Sequence, residues 1–294
     1  MEMILEGNAS SPSSRLLLEE TIRLLKRYGV RPKKRLSQSF IVDEKLVRLI
    51  VESVKPKPSD VIVEIGAGLG TLTLELAKYG ARIKAVEIDP VLVRVLKDRL
   101  SRFENVDVIQ GDFLKMDLEG NVFTGNIPYH VSTPIIFKIL KQKYDRSVIT
   151  VQKEVAERIV SKPGTKSYGR LTVSVNILAE ARIIGSFPSS SFYPMPKVSH
   201  SLILLKPLEK PVDTVILEWL LRAMFSQRNR LAVTVLRKEL EEIYGDKGLL
   251  IHREVSRLIP GDKRVFELSV QDFLSLSQAI SGFLSDMGAY FSLS

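Results

Sequence analysis

The 294-residue chain contains no cysteine. This absence excludes disulfide bonds, thiolate-bound zinc and a thiol nucleophile. Histidine is almost as scarce, and His130, His200 and His252 are too far apart in sequence to form a recognisable metal motif. We therefore expect any chemistry of this protein to proceed without a metal ion.

Long apolar runs are also lacking. No run approaches the roughly 18 to 20 residues that a membrane-spanning helix needs, and the start of the chain lacks the basic and then apolar order of a signal peptide. We expect a cytoplasmic protein without a membrane partner. The composition, 45% hydrophobic and 26% charged, is that of a globular protein with one large domain and a smaller one.

Basic residues exceed acidic ones, with 43 Lys and Arg against 34 Asp and Glu, for a net charge of +9. Residues 26–36 include six basic side chains and no acid, and residues 222–238 include five and no acid. Each cluster alone could be a solvated basic face. Two such clusters on either side of a catalytic domain favour a nucleic-acid partner.

Short apolar strands alternate with helical patterns over most of the chain, which predicts a parallel sheet covered by helices on both faces. Strands are predicted at 61–65, 82–88, 106–110, 120–125 and 147–152, with two more near 180–186 and 200–205. Helices are predicted at 15–28, 43–54, 71–79, 90–102, 133–142 and within 167–181. We expect an N-terminal extension and helix (1–34), an α/β domain (35–206) and a helical domain (207–294).

A glycine-rich turn, EIGAGLGTLT, follows the first of these strands. Gly66, Gly68 and Gly70 let the chain turn sharply and let a ligand lie against the backbone near the positive end of the next helix. Glu87 ends the following strand, where its carboxylate can bind two ribose hydroxyls. The arrangement predicts a cofactor that contains a nucleoside.

Two classes of cofactor compete for this loop. Dinucleotide-binding enzymes carry G-x-G-x-x-G, whereas this chain has E-x-G-x-G-x-G from Glu64, with Thr71 in place of the third glycine. That spacing fits the S-adenosyl-L-methionine loop of class I methyltransferases better. Asp112 follows the third strand and is placed to accept a hydrogen bond from the adenine of such a cofactor.

The tetrapeptide Asn126–Ile127–Pro128–Tyr129 follows the fourth strand and should face the same crevice, because ligands bind at the carboxyl ends of parallel strands. It suits methyl transfer to an exocyclic amino group, whose lone pair is delocalised into the ring. The Asn126 side-chain oxygen and the Pro128 carbonyl would accept N–H bonds, and Tyr129 would stack on the base. Catalysis would then depend on positioning, and we expect His130 to pack or cap rather than act as a base.

These motifs together resemble the KsgA group of ribosomal RNA small-subunit adenine N6,N6-dimethyltransferases, with features of archaeal members. The resemblance extends from about Lys34 to Ser201 and continues more loosely to the end. It includes the segments RLSQSFIVD (35–43), VQKEVAERIVSKPGTKSYGRLTV (151–173) and FYPMPKVSHS (192–201), in the family's order and spacing. Ser37 and Ser39 depart from the Gly and Asn of the family.

The resemblance implies a class I, Rossmann-like methyltransferase fold with a mostly parallel seven-stranded sheet and a small C-terminal helical domain that engages RNA. The implied reaction is the dimethylation of two adjacent adenosines near the 3′ end of small-subunit rRNA in the immature subunit, by a monomer. Phe192 would stack on the target adenine opposite Tyr129, and Ile127 and Arg228 would also contact the substrate. The implied cofactor contacts are Gln38, Ser39, Ile41, Gly66, Gly68, Glu87, Ile88, Asp112, Phe113 and Asn126.

Two alternatives remain open. A large-subunit rRNA adenine methyltransferase of the antibiotic-resistance type would share the core motifs, although the PGTKSYGRL segment and the C-terminal domain argue against it. A non-catalytic nucleic-acid-binding factor derived from the same fold would not need the intact Gly66, Glu87, Asp112 and Asn126.

Overall fold

Strands and helices alternate through most of the chain, and helices dominate its C-terminal part. The computed structural model describes residues 5–6, 11–209 and 212–286. Predictions that fall on residues 1–4, 7–10, 210–211 and 287–294 lie outside this description. The strands are β1 (Leu5–Glu6), β2 (Phe40–Ile41), β3 (Val61–Ile65), β4 (Arg82–Glu87), β5 (Val106–Gln110), β6 (Val122–Asn126), β7 (Arg146–Gln152), β8 (Ala179–Phe187), β9 (Phe192–Tyr193) and β10 (His200–Pro207). The helices are α1 (Pro12–Arg27), α2 (Glu44–Val54), α3 (Thr71–Ala77), α4 (Pro90–Arg99), α5 (Ser132–Leu140), α6 (Lys153–Ile159), α7 (Arg170–Leu178), α8 (Thr214–Ser226), α9 (Ala232–Tyr244), α10 (Asp246–Val255) and α11 (Val270–Asp286).

Eight strands of the described chain form one sheet, in the order β1-β8-β10-β7-β6-β3-β4-β5. The strands from β3 to β7 pair in parallel, and β10 lies antiparallel to β7. The two-residue strand β1 pairs in parallel with β8. The predicted mostly parallel seven-stranded sheet with flanking helices is therefore confirmed, and β1 adds a short edge strand.

The order of the strands reverses between β3 and β6. From β3 the chain passes through β4 to β5 on one side, whereas β6 pairs with the other edge of β3 and leads to β7. Right-handed crossovers in opposite directions place helices on opposite faces, and they open a crevice at the carboxyl ends of β3 and β6. The glycine turn and the tetrapeptide follow these two strands, so the topology brings them to one crevice.

The central strands are buried along most of their length, as continuous apolar runs in a parallel sheet require. Ile62, Val63, Val122 and Phe123 are fully buried in β3 and β6. Glu64 is an exception, because it is a carboxylic acid with only 2% of its surface exposed, inside β3.

The first helix begins earlier than the sequence predicts, at Pro12 instead of residue 15. Ser11 caps it, since its hydroxyl accepts the Ser14 N–H at 3.2 Å. Proline at the first helical position has the backbone angle that a helix start needs and no N–H to leave unsatisfied. The helix ends at Arg27, close to the predicted end.

The described residues divide into two compact units, the first within 1–156 and 181–207 and the second within 157–180 and 208–294. In the second unit, α7 to α11 contribute to an apolar core. Trp219, Leu220 and Met224, which the sequence predicts as core residues, are buried there, and Phe225 packs partly buried against them.

The division differs from the predicted single boundary at residue 207. Residues 157–180 belong with the helical unit, because Tyr168, Val173 and Ile177 pack into its core. The Tyr168 hydroxyl also donates to the Leu268 carbonyl at 2.8 Å. The apolar pattern of this segment identified a helix but did not identify the core that the helix joins.

Candidate active site

The turn after β3 has a backbone geometry that only glycine adopts readily. Gly66 and Gly68 have φ angles of 76° and 60°. A Cβ atom on Gly68 would lie 3.2 Å from the Phe40 ring, so a side chain there would displace that ring. The N–H groups of Gly66 and Ala67 donate to the Val86 carbonyl at 2.9 and 3.0 Å. The turn is thus fixed against β4 with its bare backbone at the crevice.

Glu87 ends β4 directly beside this turn. One carboxylate oxygen accepts the Gly68 N–H at 2.9 Å, and the other accepts the Asp89 N–H at 2.8 Å. Burial raises the pKa of Glu87, and the two backbone donors oppose this effect. Each carboxylate oxygen can accept a further hydrogen bond, so the group can bind a pair of hydroxyls.

One cleft connects the predicted cofactor residues. It is partly open to solvent and is lined by the glycine turn, Glu87, residues 36–41 and the tetrapeptide. A second cavity adjoins it, and Leu36, Ile88 and Pro128 line both. The two cavities together give an elongated site along the carboxyl edge of the sheet.

The second cavity is lined by Asp112, predicted to bind the adenine of the cofactor, and by the predicted cofactor contacts Ile88 and Phe113. Ile88 offers an apolar side chain that is 46% exposed. Asp112 lines the cavity and caps the following turn, where it accepts the Leu114 N–H at 3.0 Å. Phe113 is buried, with the Lys138 ammonium 5.1 Å from its ring centroid.

Residues 36–41 form one wall of the cleft. The Gln38 amide accepts the Lys33 N–H at 2.7 Å and donates to Asp89 at 2.8 Å, so it fixes the wall in place. The Ser39 hydroxyl donates to the Pro194 carbonyl at 2.9 Å. Ile41 is buried in β2 and pairs with Phe192.

Asn126 lies at the end of β6 with its amide orientation determined by a neighbour. Its Nδ2 donates to the Ser39 carbonyl at 2.8 Å. Its Oδ1 is buried and has no hydrogen-bond partner among the described residues. A buried acceptor without a donor costs free energy in the isolated protein, so this oxygen is available to a donor that enters the cleft.

Ile127 and Pro128 form the turn between β6 and α5. Ile127 is fully buried, and its N–H donates to the Thr150 carbonyl at 3.0 Å. The Pro128 carbonyl accepts the Val131 N–H at 3.2 Å and the Ser132 hydroxyl at 3.1 Å. The Ser132 hydroxyl has one hydrogen and also lies 3.2 Å from the Tyr129 carbonyl, so it shares that hydrogen between the two carbonyls at the start of α5.

Tyr129 and Phe192 both pack against His200. The ring centroids of Tyr129 and His200 are 5.0 Å apart, and those of Phe192 and His200 are 4.4 Å apart. Phe192 is buried, and its position is set by the antiparallel pair of β2 and β9. Tyr129 lines the open cleft, and burial raises the pKa of its hydroxyl.

Arg228 lies in the second unit and makes structural contacts there. Its guanidinium donates to the Lys166 carbonyl at 2.9 Å and to the Thr165 carbonyl at 3.2 Å. It also lies over the Phe266 ring, 5.3 Å from the centroid. These contacts join Arg228 to the loop that precedes α7.

Several residues of the site were not predicted from the sequence, and three of them have distinct positions. Leu36 lines both cavities, Glu64 lines the main cleft, and His200 packs under the two aromatic rings. An acid inside the apolar strand VIVEI was a usable signal for Glu64. Nothing local marks Leu36 or His200, because their positions depend on tertiary contacts.

The described part of the chain holds no group of three or more His, Asp or Glu arranged to bind a metal ion. No helix within the described ranges is both long and apolar enough to cross a membrane.

The strand order, the glycine turn after β3 and the acid at the end of β4 define a class I methyltransferase. The family model described as "Ribosomal RNA adenine dimethylase" matches residues 29–281, and the chain belongs to this family.

Individual relatives agree with this assignment. The chain is 38% identical over 268 residues to a probable ribosomal RNA small subunit methyltransferase A from Methanothermobacter thermautotrophicus, which covers 90% of this chain and 96% of the relative. A crystal structure of a dimethyladenosine transferase from Plasmodium falciparum superposes with a TM-score of 0.74 at 26% identity, over 86% of this chain and all of that one. The 23S rRNA methyltransferase ErmE gives a TM-score of 0.61 at 25% identity, over 82% and 99% of the two chains.

The cleft suits S-adenosylmethionine, the cofactor expected for this class. Gly66 and Gly68 present backbone without side chains, and Glu87 offers two carboxylate oxygens next to them. The apolar Ile88 and the carboxylate of Asp112 line the adjoining cavity, as an adenine ring with its amino group requires.

Proposed function

We propose that this protein is an S-adenosyl-L-methionine-dependent methyltransferase that dimethylates the N6 atoms of two adjacent adenosines near the 3′ end of small-subunit rRNA during ribosome biogenesis. Membership of the ribosomal RNA adenine dimethylase family and the similarity to a small-subunit methyltransferase over nearly its whole length support the proposal.

The observation that carries the proposal is the unpartnered Oδ1 of Asn126. It lies at the edge of the sheet beside the glycine turn, where a Cβ on Gly66 would be 3.8 Å from the Asn126 backbone oxygen. An adenine amino group is a hydrogen-bond donor, and a fixed carbonyl oxygen is the partner that such a group needs. No donor from the described chain competes for this oxygen.

The cofactor, when bound, supplies a sulfonium methyl group. Asn126 would accept one N–H of the amino group and draw the nitrogen lone pair out of conjugation with the ring. Held by Asn126, the nitrogen would take the methyl group that the cofactor supplies by cleavage of its carbon–sulfur bond, and it would lose one proton to water. A strong base is not required, so positioning contributes most of the rate.

The rest of the tetrapeptide would shape the base site. Tyr129 and Phe192 would provide the aromatic faces on which the target base stacks. Pro128 would hold the turn through its ring, and its engaged carbonyl would fix the start of α5. Ile127 would act through its backbone, since its side chain is buried.

The cofactor site would use the glycine turn, Glu87 for the ribose, and Ile88, Asp112 and Phe113 for the adenine. In the wall formed by residues 36–41, Gln38 and Ser39 would act by holding the wall and Asn126 in place, and Ile41 by packing behind it.

The RNA partner would be the immature small ribosomal subunit in the cytoplasm, bound by the protein as a monomer. The helical region from residue 207, together with residues 157–180, would engage the RNA backbone through its basic loops. Arg228 would contribute by ordering the loop that precedes α7.

The test is Asn126→Ala, with labelled cofactor and mapping of methyl groups on small-subunit RNA. We expect transfer to fall by about 100-fold or more, because the amino nitrogen loses its positioning acceptor. Cofactor affinity, measured by calorimetry, should change far less. Gln142→Ala, which removes an amide elsewhere in the first unit, is the matched control and should transfer at the wild-type rate. Full activity of Asn126→Ala would contradict the role of this residue.

The main alternative is methylation of large-subunit rRNA, since the 23S rRNA methyltransferase ErmE shares the fold. The same mapping separates the two, because methyl groups would then appear only on large-subunit RNA. Cofactor binding without transfer to either RNA would favour a non-catalytic RNA-binding factor.

A further inference from the structure

His200 is a buried histidine at the carboxyl edge of the sheet. It begins β10 and stands opposite Gln152, the last residue of β7. β7 in turn lies beside β6, which ends at Asn126. The side chain is 0% exposed and contacts the rings of Tyr129 and Phe192. The topology therefore places an imidazole behind the two residues proposed to stack the target base.

Neither ring nitrogen of His200 has a hydrogen-bond partner within the described chain. Burial lowers the pKa of the imidazole to about 4, so the ring is neutral at physiological pH. A neutral imidazole carries one N–H donor and one acceptor. A buried ring that uses neither is unusual, since buried polar groups normally have partners.

Other polar atoms at the same edge are also unsatisfied. Thr150 Oγ1 is buried and, like Asn126 Oδ1, has no partner in the part of the chain that the structure describes. Thr150 stands opposite Asn126 in the parallel register of β6 and β7. Of the residues with these unsatisfied atoms, Asn126 lines the open cleft, whereas Thr150 and His200 are fully buried.

We propose that His200 recognises the target base, by donating its ring N–H to one of the two ring nitrogens that flank the amino group of adenine. The proposal rests on the proposed function and deepens it. In adenine both flanking nitrogens accept hydrogen bonds. In guanine the corresponding nitrogen of the six-membered ring carries a hydrogen and cannot accept one. Asn126 would thus bind the amino group, while His200 would distinguish adenine from guanine through the flanking ring nitrogen.

The base reaches His200 only after the aromatic rings move. Tyr129 lines the open cleft, whereas Phe192 is 2% exposed and His200 is fully buried. Tyr129 is therefore the ring that must turn aside to admit the base. The base would then take up the contact that Tyr129 makes with His200 in the free protein.

The experiment compares wild type with His200→Leu, which keeps apolar bulk but removes both nitrogens, and with His200→Gln, which keeps a donor and an acceptor. The substrates are small subunits whose RNA carries adenosine, 1-deazaadenosine or 7-deazaadenosine at the target positions. Single-turnover transfer and cofactor affinity are measured for each pair.

We expect His200→Leu to transfer to adenosine about tenfold more slowly than wild type, which is the usual effect of one lost hydrogen bond. Cofactor affinity should be unchanged, and His200→Gln should recover most of the rate. One of the two deaza analogues should slow wild type by a similar factor and should slow His200→Leu no further.

The proposal is overturned if His200→Leu transfers at the wild-type rate, or if the deaza analogues slow both proteins equally. If His200→Leu does not fold, the wild-type protein alone still tests the proposal. Equal transfer to adenosine and both analogues would exclude a contact with either ring nitrogen. Failure of wild type to methylate small-subunit RNA at all would refute the proposed function instead.

Discussion

At the scale of single residues, the site is marked by buried polar atoms that the fold leaves without partners. Asn126 Oδ1, Glu64 Oε2 and the nitrogens of His200 are examples among the described residues. Each lies at the carboxyl edge of the sheet or in the strand that leads to it. Such atoms reduce the stability of the isolated protein, and their concentration here indicates that the site is organised for ligands.

Glu64 gives a prediction about pH. Burial, with a contribution from the nearby Glu87, raises the pKa of its carboxyl from 4.5 to about 8. Between these two pH values the folded protein holds a proton that the unfolded chain releases. The contribution of Glu64 to stability is therefore lost as pH rises from about 4.5 through about 8.

We expect Glu64→Gln, which cannot ionise, to lose less unfolding free energy than wild type as pH rises. Urea unfolding at pH 5 and pH 8 should give a smaller difference in unfolding free energy for Glu64→Gln than for wild type. The exposed Glu119→Gln is the control and should behave like wild type. Equal losses in Glu64→Gln and wild type would show that Glu64 is not the titrating group.

At the scale of elements, the distance between β3 and β6 determines how close the two sides of the active site lie. Gly125, next to Asn126, has a φ of 141°, and an added Cβ would lie within contact distance of the Ile65 carbonyl oxygen and 3.1 Å from its nitrogen. The close approach of these strands brings the glycine turn and the tetrapeptide together. A side chain at residue 125 would separate them.

Gly125→Ala should therefore destabilise the protein by roughly 3 kcal/mol or more, from steric overlap and backbone strain combined. The midpoint of urea unfolding measures this. Gly282→Ala is the matched control, because that glycine lies within α11 with open space around it. The control should gain about 0.5 to 1 kcal/mol. A wild-type midpoint for Gly125→Ala would contradict the packing argument.

The elements themselves were largely predictable. Residues 61–65 and 106–110 were predicted as strands with the bounds that the structure has, because apolar runs between turn residues are a local signal. The fate of the Pro128 carbonyl was not predictable, since it depends on how α5 begins. The contact of His200 with Tyr129 and Phe192 joins residues far apart in sequence, and no local pattern records it.

At the scale of the whole molecule, the net charge of +9 is distributed unevenly, and several of the basic side chains are gathered on loops of the second unit. In the second unit, hydrogen bonds join three loops. The Gly164 N–H donates to the Phe266 carbonyl at 2.8 Å, the Val265 N–H donates to the Arg230 carbonyl at 3.0 Å, and the Arg228 guanidinium donates to the Lys166 carbonyl. The basic side chains of these loops are Lys162, Lys166, Arg228, Arg230, Lys263 and Arg264. Sequence alone revealed only the cluster around Arg228, because the other loops are brought to it by the fold.

Neutralising two exposed members, with Lys166→Gln and Arg230→Gln together, should weaken RNA binding. The slope of log affinity against log salt concentration should decrease in magnitude by about one to two, as expected when two phosphate contacts are lost. Cofactor affinity should be unaffected. The pair Lys97→Gln and Arg102→Gln, exposed in the first unit, lowers the net charge equally and should leave the slope unchanged. Equal slopes for both pairs would argue against this surface.

The hydrogen bond from Asn126 to residue 39 has a consequence for how the sequence can vary. The acceptor is the main-chain oxygen of Ser39, and every amino acid provides that atom. Substitution at residue 39 can therefore change the surface of the cofactor wall without disturbing the orientation of the Asn126 amide. Serine can replace the family's asparagine at residue 39 because the main-chain oxygen, and not the side chain, orients the Asn126 amide. A substitution at this residue can therefore change cofactor affinity without changing catalytic positioning.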